Sequence, residues 1–276
     1  MKDIQSQLDD RRINIKKVGV KDISYPITVL DKKKKVQRTV AKVNMSVNLP
    51  HRFKGTHMSR FVEILNRCHG EIHLKNIQAV LTEMKEKLAA PAAHMEVVFS
   101  YFLKKNNGVV DSITIGEYGC KMHGSLDREY DLSLEIKVPI ASPAREQDSV
   151  GMPRSLGQWG NAKVCFRFRH FIWLEDLIQM IEEVIAACQS SRRDTAASGP
   201  RMTVEEITLA LGERLASQAD IRWFSIVVEN LADGYNTFAS MEWPGTTNVI
   251  KQKFSAGTDC RHRNDSTRTC ISPVTD

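Results

Sequence analysis

Lys42-Val43-Asn44-Met45-Ser46-Val47-Asn48-Leu49 alternates polar and apolar residues without a break. In an extended chain Val43, Met45, Val47 and Leu49 share one side and Lys42, Asn44, Ser46 and Asn48 the other, the period of a strand with one buried face. Upstream, Ile27-Thr28-Val29-Leu30 reads as a second strand. Between the two lie Asp31 and the run Lys32-Lys33-Lys34-Lys35, most simply a solvated hairpin loop, with phosphate binding as the lesser reading. Downstream, Met58, Phe61, Val62 and Leu65 have the spacing of one helical face. Ile77, Val80, Leu81, Met84 and Leu88 repeat that spacing, with Glu83, Lys85, Glu86 and Lys87 outside and Pro91 as a stop. Strand-like runs return at Met95–Leu103 and Ile113–Cys120, around the turn signal Asn106-Asn107-Gly108.

The same order then recurs. Leu132, Leu134, Ile136 and Val138 alternate with Ser133, Glu135 and Lys137, and Val164–Phe171 is a further strand with Arg167 and Arg169 opposite Phe166 and Phe168. A helix follows with Leu174, Leu177, Ile178, Ile181, Ile185 and Cys188 on one face and Glu175, Asp176, Gln179, Glu182 and Glu183 on the other. Thr203-Val204-Glu205-Glu206 opens another helix with a capping box, and Ile221–Glu229 is a strand. Strand-strand-helix-helix-strand-strand, twice, predicts an α+β fold of antiparallel sheets with helices on one face. Sheet edges left over would be closed by oligomerisation. The expected organisation is an arm over residues 1–20, a first unit over 21–130, a second over 131–243, and a polar, disordered tail over 244–276. Ala141–Asn161 has no period, and Gln189–Pro200 reads as a loop.

The 276 residues are 42% hydrophobic and 26% charged, which excludes a wholly disordered chain. A net charge of +6 suits an anionic ligand but is too diffuse to argue for nucleic acid, and no aromatic-basic recognition surface stands out. No apolar run is long enough to span a bilayer, and Met1–Lys21 is polar with both charge signs, unlike an export signal. None of the six cysteines (Cys68, Cys120, Cys165, Cys188, Cys260 and Cys270) forms a CxxC pair. The expectation is a reduced, cytoplasmic, soluble protein without membrane or nucleic-acid partners.

Specific stretches go further. Lys16-Lys17-Val18-Gly19-Val20-Lys21, Tyr25 to Asp31, and above all Asn48-Leu49-Pro50-His51-Arg52-Phe53-Lys54-Gly55-Thr56-His57-Met58-Ser59-Arg60-Phe61 resemble the GTP cyclohydrolase type IB family. His94-Met95-Glu96-Val97, Val138-Pro139, Phe171-Ile172-Trp173-Leu174-Glu175, Trp223-Phe224 and Glu229-Asn230 continue the resemblance. It covers residues 10–140 well and 163–240 more patchily. The resemblance implies tandem tunnelling-fold units assembled into a homotetramer. It also implies conversion of GTP and water to formate and 7,8-dihydroneopterin triphosphate, at the start of tetrahydrofolate synthesis. The family uses a divalent metal of the zinc or manganese type to activate water for attack on C8 of the purine. Thiolate and imidazole ligands suit such an ion.

The family's catalytic positions, carried over residue by residue, are altered here. Ala144 stands at the functional cysteine, Glu146 at the second cysteine, and Leu156 at the following histidine, while Gln158 and Gly160 are retained. Gln189 stands where the family has a glutamate, and a Thr-Glu segment that holds the purine has no counterpart. The family's His-Asn-His reads Tyr235-Asn236-Thr237. The resemblance therefore implies a degenerate member without the metal. Two readings stay open: a pseudoenzyme that kept the assembly, structural or with affinity for GTP or another purine or pterin, and a chain translated partly out of frame over Ala141–Leu156 and beyond Trp243.

Other residue groups are weaker candidates. His51 and His57, with Lys54 and Arg60, form either a phosphate cluster or a structural turn. His69 and His73 are four apart but lack a third metal ligand; Cys120 with His123, and Glu146 with Asp148, are equally short of donors.

Overall fold

A computed structural model describes residues 15–49, 57–68, 70, 72, 74, 76–106, 113–141, 158–190, 202–231 and 234–245. Eight strands run in chain order: β1 (Ile15–Asp31), β2 (Lys35–Leu49), β3 (Ala93–Asn106), β4 (Ile113–Leu126), β5 (Tyr130–Ala141), β6 (Gln158–Phe168), β7 (Ile221–Leu231) and β8 (Asn236–Trp243). They form one sheet in that same order, every neighbouring pair antiparallel. Helices α1 (Met58–Arg67) and α2 (Ile77–Lys87) link β2 to β3; α3 (Leu174–Ser190) and α4 (Val204–Ala216) link β6 to β7. All four pack on one face of the sheet, the α+β arrangement expected of tandem tunnelling-fold units.

Alternation sorts the side chains. Val43, Met45, Val97, Phe99, Ile136, Val164, Phe166 and Ile226 point to the helices and are buried against Phe61, Leu65, Leu81, Ile181, Ile207 and Leu211. The lysine run is a tight hairpin: Asp31 pairs with Lys35, and the Asp31 carboxylate accepts hydrogen bonds from the backbone N–H groups of Lys33 and Lys34. Lys32 is not simply solvated. Its backbone N–H donates to Glu175 (2.7 Å) and its Nζ pairs with Asp176 (2.7 Å) at the start of α3.

Several elements differ from the sequence reading. β1 begins at Ile15 and pairs with β2 from there, although residues 15–20 carry too many lysines to look like a strand. β6 starts at Gln158, inside the stretch read as aperiodic, because Gly160 and Ala162 carry the buried face with side chains too small to register as apolar. It stops at Phe168, where the Arg169 N–H leaves the ladder for the Asp220 carbonyl. α3 runs through Gln189 and Ser190, beyond the point where the sequence pattern predicts a loop. β8 closes the sheet over a stretch whose strand was not located from sequence. Only Ala239, Met241 and Trp243 of β8 turn toward the helices, and Gly212 of α4 makes room, since a Cβ there would lie 2.4 Å from the Met241 sulfur.

Glu175 and Glu182 also depart from the outer face assigned to them. Tyr101 of β3 and Tyr118 of β4 face each other in register, both fully buried. Tyr101 donates to Glu175 and Tyr118 to Glu182, each at 2.6 Å. Burial, aided by those carboxylates, pushes both phenols far above the ordinary tyrosine value, so they remain donors.

Candidate functional site

The altered family positions lie at one end of the second half of the sheet. β5 leaves the sheet at Ala141 and β6 enters at Gln158, its ladder partner. Ala144, Glu146, Asp148 and Leu156 lie between them, outside the described residues. Gln189 lies in the last turn of α3, and its Nε2 donates to the Ala141 carbonyl (3.0 Å). β7 ends here too: Asn230 pairs with Thr237 and Leu231 with Asn236, and Asn230 Nδ2 donates to the Trp159 carbonyl (2.9 Å). Gly160 is required by close approach, since a Cβ would fall 2.0 Å from the Glu229 carbonyl oxygen. Thus Gln189 bonds the end of β5, while Tyr235, Asn236 and Thr237 stand at the start of β8, at the same end of the sheet.

The chemistry of this group is specific. Zinc-type ions take thiolate, imidazole and carboxylate donors. The described residues at the family positions supply an amide at Gln189, a phenol at Tyr235, an amide at Asn236 and a hydroxyl at Thr237. They do not fit the donor set that the family's metal requires. Among the described residues no group of three His, Cys, Asp or Glu stands ready to hold a metal ion. Gln189 is also committed elsewhere. A carboxylate in its place would face the Ala141 carbonyl with lone pairs instead of a donor.

The remaining candidates separate. Cys120 faces the helices, buried, with its thiol pushed up to about 12 by desolvation, whereas His123 lies on the opposite face. The pair therefore makes no site. His57 precedes α1 without capping it through its side chain, and Arg60 donates to the Lys87 carbonyl (3.0 Å). His51, Lys54, His69 and His73 lie outside the described residues. Cys68, Cys120, Cys165 and Cys188 are free thiols.

Sequence reasoning missed the polar row on the helix-free face. Glu96 and His123 are register partners; Asn44 donates to Glu96 (2.8 Å), and His94 Nε2 lies 3.2 Å from Asn48 Oδ1. Desolvation first, then Lys17, lowers the His94 pKa; desolvation also lowers that of His123, against the pull of Glu96. At the far end of β5–β8, Asp131, Arg167, Arg222 and Trp223 line a cavity of about 500 Å³. The signal was the polar half of each strand's alternation, which sequence reading used only to identify the buried half.

The model of a protein family described as type I GTP cyclohydrolase folE2 matches residues 1–231. A GTP cyclohydrolase FolE2 of Syntrophobacter fumaroxidans is 41% identical over 247 residues, covering 86% of this chain and 96% of that protein. One of Syntrophotalea carbinolica is 42% identical over 257 residues, covering 90% and 97%. Among solved structures, uricase from Arthrobacter globiformis superposes with a TM-score of 0.51 at 7% identity, covering 88% of this chain and 96% of the uricase. Urate oxidase from Bacillus sp. TB-90 gives 0.53 at 7% identity, covering 83% and 99%. At that identity the superpositions speak to the fold alone.

Proposed function

The chain belongs to the type I GTP cyclohydrolase FolE2 family, and from that premise we propose that it keeps the family's scaffold without the family's ring-opening reaction. The observation carrying this reading is the Gln189 side chain bonded to Ala141 O, at the family's glutamate position. It puts a neutral amide donor into a local hydrogen bond at the position where the family has a glutamate. Tyr235 and Thr237 at the His-Asn-His positions, and Ala144 and Leu156 in the 142–157 segment, support the same reading. No chemical step through a metal follows from these residues.

The scaffold itself is proposed to assemble as a homotetramer, as the family resemblance implies. Strands β1 and β8 end the sheet order, so each has a ladder partner on one side only among the described residues. The helix-free face exposes Val40 (64%), Phe102 (40%) and Phe238 (68%), apolar surface that self-association would cover.

The test incubates GTP with the purified chain plus manganese or zinc and follows pterin fluorescence after oxidation. No signal above a heat-inactivated control is expected. A metal-dependent signal that scales with protein would overturn the reading.

A further inference from the structure

The cavity of about 500 Å³ lies at the start of β5, the end of β6, the start of β7 and the end of β8, the opposite end from Gln189 and Ala141. Its hydrogen-bond ledger is unbalanced. Arg167 grips Asp131 with Nε (2.9 Å to Oδ1, 3.1 Å to Oδ2) and Nη2 (3.1 Å to Oδ2). Arg222 adds Nη2 to Oδ1 (3.0 Å). Both carboxylate oxygens are therefore occupied. Each guanidinium carries five N–H donors, and Arg167 Nη1 and the Nε and Nη1 of Arg222 have no acceptor among the described residues. The Tyr130 hydroxyl, by contrast, is buried on the core side of β5 and has no hydrogen-bond partner among the described residues.

Arg167 is also preorganised. Its Cζ sits 4.4 Å over the Trp223 ring, and the indole N–H is held by Glu242 (2.8 Å), so the guanidinium has a fixed plane. Exposed Glu129, also in the lining, is an acid engaged by neither arginine.

The Asp131 oxygens are occupied while arginine donors are left over, so the complement is a molecule that brings acceptors. We propose that Arg167 and Arg222 form a binding site for a small oxyanion-bearing ligand, phosphate or carboxylate in class, with Asp131 and Trp223 as the groups that position the arginines. Fork-shaped donors favour planar or tetrahedral oxyanions over a point charge.

The test is calorimetric titration of the full, metal-free chain with inorganic pyrophosphate and, separately, citrate. One site per chain is expected for at least one probe, and the tighter probe identifies the ligand class. Losing a hydrogen bond to a charged group is worth about 1.5–3 kcal/mol, so Arg222→Gln should weaken binding by roughly tenfold to a hundredfold. Arg38→Gln, an exposed arginine on β2, should leave it unchanged. Absence of binding by both probes, wild-type affinity in the Arg222 variant, or an equal loss in the Arg38 variant would overturn the proposal.

Discussion

The Gln189 amide bonds the end of β5 through a donor that glutamate lacks. Gln189→Glu, the reversion to the family's residue type, is therefore expected to destabilise the chain by about 1 kcal/mol at pH 7. A denaturant midpoint comparison measures this, and an unchanged or raised midpoint would show that the amide is not committed there. Asp131 gives a second prediction. Burial alone would raise its pKa; the hydrogen bond and charge of Arg167, with Arg222 and His123, outweigh burial and hold it below the ordinary value. A carboxyl lowered on folding stabilises above its unfolded pKa, about 3.9, and that contribution is lost as pH falls through the folded value. The stability gap between the wild-type chain and Asp131→Asn should therefore be constant from pH 7 to 5 and shrink below about pH 4. Unfolding midpoints across that range decide it. A gap that persists undiminished below both pKa values would contradict the charge account.

Helix α4 shows how local sequence and packing agree. Its N-cap Thr203 accepts from the Glu206 N–H (3.3 Å), and the Glu206 carboxylate accepts from the Thr203 N–H (3.4 Å). Thr203→Ala should cost about 1 kcal/mol, read as a lower thermal midpoint, with Thr203→Ser restoring most of it. This cap was legible in sequence because it depends on residues three apart. The inward reach of Glu175 and Glu182 was not. They flank the apolar stripe of α3, and which way a flanking side chain turns depends on Tyr101 and Tyr118 arriving from other strands. β8 escaped location because its outward side chains include Phe238 and its inward set of Ala239, Met241 and Trp243 is only half-buried, which blurs the apolar-in, polar-out signal.

Across the whole molecule, element order was readable because each strand repeats every second residue and each helix every third or fourth. That reading stops at connectivity. The bond from Gln189 to the end of β5, and the placing of Thr237 at the same end of the sheet, are properties of the folded sheet, and only the family resemblance drew attention to those positions. The proposed tetramer is tested by sedimentation equilibrium, where a mass four times that of one chain is expected and a monomer would contradict it. The central claim, a retained scaffold without the reaction, is tested most directly by single-turnover release of formate from C8-labelled GTP. Protein would be in excess over GTP, with manganese or zinc supplied, so that even very slow chemistry is seen. The account predicts no labelled formate beyond that of a protein-free control. Release approaching one formate per GTP would show that the chain is a working cyclohydrolase and contradict the account.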